Sequence, residues 1–277
     1  REREEKMSHN STSKMILVDR PSALLFGDSI TQWGEIYLPA TKKENDIIAA
    51  GWISLLRNRF SRRFDLVNRG YSGYNSRWAV CIANRVFTAD EYVFVTIFFG
   101  ANDAAYKEQN PKQSVPLNEY KRNIRYLVAR AKSKTKHVII IAPPPVDSKK
   151  WPDRSNENVD AFASAAMEVA EDSGCDFINL YEIMNKSRKP FAFLSDGLHL
   201  NAEGQSLLAR KVIECVDRRH AKGLDKHLPV HMFDSATDHE CDVPLDFPLW
   251  SEVSNKEPAK SLSSHNVSKL EYRCTGR

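Results

Sequence analysis

Apolar runs and helical stripes alternate along the middle of this chain. Ala23-Leu24-Leu25-Phe26 is continuously apolar and stops at Gly27, which predicts a first strand. Residues 52–60 carry apolar side chains at helical spacing, and Phe64-Asp65-Leu66-Val67 reads as a second strand. A helix is expected over 76–87. Residues 92–99 form an almost unbroken apolar run rich in aromatic and β-branched residues, the signature of a parallel strand covered on both faces. Over 117–131, Tyr120, Ile124, Leu127, Val128 and Ala131 fall on one helical stripe. A fourth strand spans 137–141 and is stopped by Pro143-Pro144-Pro145. Residues 156–171 and 176–180 give another helix and strand. Asn201 is placed to cap a final helix over 202–216, with Leu207, Leu208 and Val212 facing inward. Strand and helix alternate about five times, so the expected fold is α/β: a three-layer αβα sandwich around a central parallel sheet of about five strands.

Four polar segments interrupt this pattern. They read Gly27-Asp28-Ser29, Gly70-Tyr71-Ser72-Gly73, Gly100-Ala101-Asn102-Asp103 and Asp196-Gly197-Leu198-His199. The first three follow apolar runs and the fourth precedes the last helix. In open α/β sheets, ligands bind beyond the carboxyl ends of the strands, so residues distant in sequence are expected to meet there. The residue types then suggest roles. A serine hydroxyl needs a base to take its proton as it attacks, and His199 can be that base for Ser29. Asp196 can hold the other ring nitrogen. A tetrahedral intermediate needs fixed donors, which the backbone N–H groups of Ser29 and Gly73 and the side-chain amide of Asn102 can supply. Gly-Asp-Ser alone arises by chance in roughly one chain in fifteen of this length at average residue usage. The information lies in four blocks in order, each at an expected element edge. Asp28 and Asp103 are read as acceptors that fix their loops. Trp33 and Tyr74 are candidates to line a substrate pocket, and Trp78 is expected on a helix as core.

Composition narrows the class. The chain has 277 residues, 42% of them apolar and 27% charged, which suffices for one large core. Its net charge of +4 is small and dispersed, so nucleic acid is not an expected partner. No apolar stretch is long enough to span a membrane, and residues 1–20 show no secretory signal, so a cytoplasmic location is expected. The chain opens with Arg1, with Met7 and Met15 as candidate starts. The five cysteines, Cys81, Cys175, Cys215, Cys241 and Cys274, are odd in number and widely spaced, as expected of free thiols. His227, His231, Asp234, His239 and Cys241 match no zinc spacing, and Pro229 breaks any helix carrying the first pair. The basic stretch 57–63 is expected to be a solvated helix face. Asn10, Asn185 and Asn266 begin glycosylation sequons that matter only in a secreted chain. The domain expected over 21–220 is flanked by a polar tail at 1–20, an extended arm at 221–255 and a second polar tail at 256–277. The arm could pack on its own domain or on a second copy of the chain, giving a homodimer.

The order Gly-Asp-Ser, Gly, Gly-x-Asn-Asp and Asp-x-x-His resembles the SGNH (GDSL-type) hydrolase superfamily. Longer strings, among them Leu25-Phe26-Gly27-Asp28-Ser29-Ile30-Thr31 and Phe98-Phe99-Gly100-Ala101-Asn102-Asp103-Ala104, resemble its isoamyl acetate-hydrolysing esterase branch. The similarity runs from about Ser22 to Val216, and Asp246-Phe247-Pro248-Leu249-Trp250 resembles that branch's C-terminal segment. The resemblance implies a flavodoxin-like fold with Ser29 as nucleophile, His199 as base and Asp196 as the orienting acid. Ser29, Gly73 and Asn102 then form the oxyanion hole. It further implies hydrolysis of short-chain esters of small alcohols through an acyl-enzyme, with no metal or organic cofactor. One segment departs from the pattern: residues 35–48 make a longer link than the family's usual one, beside the nucleophile, and leave acyl preference open. Other expected uses of the same machinery are carbohydrate deacetylation, lysophospholipid hydrolysis and thioester hydrolysis. A catalytically silent binding module is the alternative from another class. No Gly-x-Ser-x-Gly elbow is present, which disfavours an ordinary α/β-hydrolase.

Overall fold

The computed structural model describes residues 20–37 and 49–221. The tails at 1–19 and 222–277, the expected arm with its histidines, and most of the 35–48 link lie outside the described residues. Five parallel strands form the sheet: β1 (Ser22–Gly27), β4 (Asp65–Gly70), β5 (Val95–Phe98), β6 (Val138–Ile141) and β7 (Asp176–Ile178). Their spatial order is β4-β1-β5-β6-β7. Two further strands, β2 (Ile36–Tyr37) and β3 (Ala49–Ala50), pair antiparallel at the base of the link. The strand interiors explain the continuous apolar runs. Leu24, Leu25 and Phe26 of β1 are fully buried, as are all four residues of β5 and of β6. Burial of each large apolar side chain among them stabilises the fold by roughly 1.5–3 kcal/mol.

The helices are α1 (Ser29–Gln32), α2 (Trp52–Arg59), α3 (Ser76–Val86), α4 (Leu117–Lys132), α5 (Asn156–Ser173), α6 (Leu180–Asn185) and α7 (Ala202–Ala221). Parallel crossovers are right-handed, so a reversal of direction across the sheet moves the connecting helix to the other face. The chain first steps from β1 outward to β4 through α2, then runs back across the sheet through α3, α4 and α5. Accordingly α3, α4 and α5 pack side by side, while α2 packs with α7. The expected three layers are present. Tyr120, Ile124, Leu127, Val128 and Ala131 are the buried residues of α4, as the stripe requires. Asn201 accepts from the Gly204 N–H at 3.1 Å at the start of α7.

Some elements differ from expectation. The run at 92–99 contributes only Val95–Phe98 as a strand; just past its end the Phe99 carbonyl accepts from the Tyr120 hydroxyl at 3.0 Å. Leu180 begins α6 rather than ending β7. The basic stretch at 57–63 is only in part a solvated face: Arg57, Asn58 and Ser61 are exposed, but Arg59 and Arg63 are buried. Arg59 is 5% exposed and pairs with Asp217 of α7 at 3.0 Å, so α2 and α7 are tied together by a buried guanidinium. Among the described residues no helix is long and apolar enough to cross a membrane.

The strand order fixes the site's address. The chain leaves β1 toward β4 but leaves β5 toward β6, so β1 and β5 flank a crevice at their carboxyl ends. Ser29 follows β1 and Asn102 follows β5.

Candidate active site

Ser29 is the first residue of α1. Asp28 caps that short helix, its Oδ1 accepting from the Ile30 N–H at 2.9 Å, and so fixes where the Ser29 side chain leaves the backbone. The Ser29 Oγ lies 2.9 Å from His199 Nε2, and His199 Nδ1 lies 2.7 Å from Asp196 Oδ2. With the Nδ1 proton donated to Asp196, Nε2 is left to accept the hydroxyl proton. The loop carrying the pair is tightly tied. Gly197 has φ of +92°, a left-handed conformation that lets the chain double back between the two residues. The reversal aims the backbone N–H groups of Leu198 and His199 at Asp196 Oδ1, at 2.9 and 2.8 Å. Burial pushes the Asp196 carboxyl up, but the hydrogen bonds from the His199 ring and these two amides, with the His199 charge, hold it well below the ordinary carboxylate range.

The expected oxyanion donors stand on the neighbouring loops. Gly73 has φ of +77°, and its carbonyl accepts from Gln113 Nε2 at 3.1 Å. Asn102 is 4% exposed and donates one amide hydrogen to the Tyr74 carbonyl at 2.9 Å. That bond fixes the amide plane and leaves its second hydrogen for a ligand. The Gly73 loop is held from α1 as well, since the Ser72 N–H donates to Gln32 Oε1 at 2.7 Å.

Beneath these groups lie two buried acids. Asp103 Oδ1 accepts from the Ser76 N–H at 2.9 Å, so Asp28 and Asp103 both fix backbone as expected. Burial pushes the Asp28 carboxyl up to about 7, against the opposing pull of the Ile30 amide and the His199 charge, and Asp103 adds to the rise. Burial likewise raises Asp103 to about 6, opposed by its bonds from Ser76. Both folded-state values exceed the ordinary value of 3.8. At these two groups the folded state therefore holds more protons than the unfolded chain between that value and about pH 7, and their contribution to stability falls as pH rises through the window. The acids held low, Asp153, Asp176, Glu119 and Asp196, lose their contribution only at lower pH. In urea titrations, Asp28→Asn is expected to keep the cap acceptor and flatten this slope, by at most about 1.4 kcal/mol per pH unit. A variant with the wild-type slope between about pH 5 and pH 7 would refute the assignment.

A cleft of about 480 Å³ opens beside Ser29, walled by Trp33, Ile36 and Leu200 together with Asp196 and His199. The Trp33 ring lies 4.8 Å from the His199 ring and is 49% exposed, so this residue stands where a pocket wall was expected. Tyr74 lies outside this cleft. Its ring packs between Tyr71 and Trp78, at 5.2 and 5.5 Å, and its carbonyl serves Asn102. Trp78 is half-buried on α3. Sequence reading missed Gln32, Gln113 and Trp151, which all lie in polar stretches with no periodic signal. Trp151 Nε1 donates to the Asp196 carbonyl at 3.1 Å. Among the described residues no three His, Cys, Asp or Glu side chains stand together as metal ligands, and Cys81, Cys175 and Cys215 are free thiols.

This arrangement has close relatives. Residues 25–207 match the model of the GDSL-like lipase/acylhydrolase family. The isoamyl acetate-hydrolyzing esterase 1 homolog of Mus musculus is 35% identical over 260 residues, covering 87% of this chain and 92% of the relative. Its Homo sapiens counterpart is 34% identical over 259 residues, with the same coverage of 87% and 92%. Among solved structures, the lipase/acylhydrolase of Enterococcus faecalis aligns with a TM-score of 0.58 at 25% identity, covering 72% of this chain and 96% of that one.

Proposed function

The chain belongs to the GDSL-like lipase/acylhydrolase family and is a carboxylic ester hydrolase; from that premise we propose that it cleaves short-chain carboxylic esters of small alcohols through an acyl-enzyme on Ser29. The observation that carries this reading is the unbroken chain from Ser29 Oγ through the His199 ring to Asp196, at 2.9 and 2.7 Å. As Oγ attacks the carbonyl carbon, its proton passes to His199 Nε2, and Asp196 stabilises the imidazolium that forms. The negative charge on the former carbonyl oxygen is met by the Ser29 and Gly73 N–H groups and the free amide hydrogen of Asn102. His199 then gives its proton to the departing alkoxide. Water, deprotonated by the same nitrogen, attacks the acyl-enzyme; the acyl–Oγ bond breaks, Ser29 Oγ takes the proton back from His199, and the acid is released.

The names of the relatives, which specify hydrolysis of isoamyl acetate, support a small ester. The apolar wall formed by Trp33, Ile36 and Leu200 suits an alkyl group. The test is a series of p-nitrophenyl esters from acetate to palmitate. The expected profile has its highest kcat/KM at the short acyl chains and declines toward palmitate. An optimum at palmitate would replace this reading with a long-chain lipid hydrolase, and no hydrolysis of any member would remove it.

A further inference from the structure

Arg154 carries a charge where charges are rarely placed. Its side chain is 1% exposed, and such burial is unfavourable unless the group is fully partnered. Asp153 neutralises it through two bonds, from Nε at 3.0 Å and from Nη2 at 2.9 Å. The remaining bonds run toward the oxyanion loops. Nη1 donates to the Ala101 carbonyl at 2.6 Å, and that carbonyl belongs to the same peptide unit as the Asn102 N–H. Nη2 also donates to Gln113 Oε1 at 3.2 Å, and Gln113 Nε2 in turn donates to the Gly73 carbonyl at 3.1 Å. The guanidinium lies 5.3 Å from the Trp151 ring centroid, and Trp151 Nε1 holds the Asp196 carbonyl at 3.1 Å. One buried cation thus reaches the Asn102 loop directly, and the Gly73 and Asp196 loops through one side chain each.

Resting on the reading of Ser29 as an acylating nucleophile, we propose that Arg154 is a positioning residue of ester hydrolysis, holding Asn102 and Gly73 at the spacing that receives the oxyanion. Planarity suits it to this task, because a guanidinium fork serves three acceptors in fixed directions and an ammonium does not. Donors for an oxyanion stabilise the transition state only when held in advance, so loosening them lowers turnover and leaves substrate binding nearly intact.

The experiment compares Arg154→Gln, Arg154→Lys and Gln113→Ala with the wild type in p-nitrophenyl acetate hydrolysis. It also measures binding of 1,1,1-trifluoro-2-pentanone, whose serine adduct carries the tetrahedral oxyanion. Arg154→Gln is expected to lower kcat by about 10²-fold with KM within about a factor of two. Its affinity for the ketone should fall in step with kcat/KM. Arg154→Lys should recover part of both, and Gln113→Ala should lose about tenfold in each while keeping the wild-type melting temperature. A merely structural role predicts instead that the soluble, folded fraction of each variant turns over and binds the ketone like wild type. That result overturns the proposal, and the half-buried Gln113 decides it alone if the Arg154 variants do not fold. Wild-type protein inactive on every ester would instead defeat the underlying reading of Ser29.

Discussion

Ser29→Ala is expected to remove ester hydrolysis, lowering kcat by at least about 10⁴-fold. The argument is local. Deleting Oγ removes the proposed attacking atom and the hydrogen bond of 2.9 Å to His199 Nε2, and leaves the fold alone. Ser29 is the first residue of α1, and alanine is at least as good a helix former. The cap that places this position is the Asp28 carboxylate, which is untouched. Residual turnover by a water molecule activated by His199 is the ceiling on what survives. Two measurements check it together: hydrolysis of p-nitrophenyl acetate, and the mass increase on exposure to a fluorophosphonate. A variant that retains a tenth or more of wild-type turnover at an unchanged melting temperature, or that still gains the phosphonyl mass at the active site, would remove Ser29 from the nucleophile's place.

Much of that site was legible because its parts sit where periodicity changes. Buried parallel strands read as unbroken apolar runs, so the ends of β1 and β5 marked where Ser29 and Asn102 would emerge. That those two ends lie side by side comes from the strand order β4-β1-β5-β6-β7, which only the fold shows. The inward stripe of α4 and the Asn201 cap of α7 were legible for the same reason: helix burial repeats on one face and caps have a preferred chemistry.

What stayed hidden has physical causes too. α1 has four residues and α6 has six, too few for a helical stripe to declare itself, so Ser29 read as loop and Leu180 as strand. The basic stretch at 57–63 alternates charge with apolar residues as a solvated helix does. Only the packing of α2 on α7 shows Arg59 meeting Asp217. Arg154 was invisible for a related reason. In sequence it is one charge in the polar stretch Trp151-Pro152-Asp153-Arg154-Ser155, and its partners Ala101 and Gln113 come from elsewhere in the chain. Tyr74 is the converse case: its neighbours in sequence border the site, but the turn at Gly73 sends its ring back between Tyr71 and Trp78. Chemistry that depends on one residue type at a strand end can be read from sequence. Chemistry that depends on which buried polar group meets which carbonyl needs the fold.

Asp196, in the orienting role proposed for it, gives the second large effect, and here the direction of two substitutions is informative. Asp196→Asn is expected to lower kcat by about 10⁴-fold, and Asp196→Ala by less. An asparagine at 196 meets a fixed frame: the Leu198 and His199 N–H groups donate to the Oδ1 position at 2.9 and 2.8 Å. These donors require an oxygen there, so the amide nitrogen must occupy the Oδ2 position, 2.7 Å from His199 Nδ1. An NH₂ at that distance donates, which forces Nδ1 to accept and puts the ring proton on Nε2. The base facing Ser29 is then already protonated and cannot take the hydroxyl proton. Alanine imposes no tautomer. Water can replace the lost carboxylate beside the ring, because the Asp196 side chain is 38% exposed, and the productive tautomer remains populated. Asp196 is held below the ordinary carboxylate range, so the wild type keeps this orientation throughout the neutral pH interval. Steady-state kinetics of both variants on p-nitrophenyl acetate at neutral pH check the ordering. If Asp196→Asn were the more active of the two, the two backbone donors would not be dictating the side chain's orientation, and Asp196 would act through its charge alone.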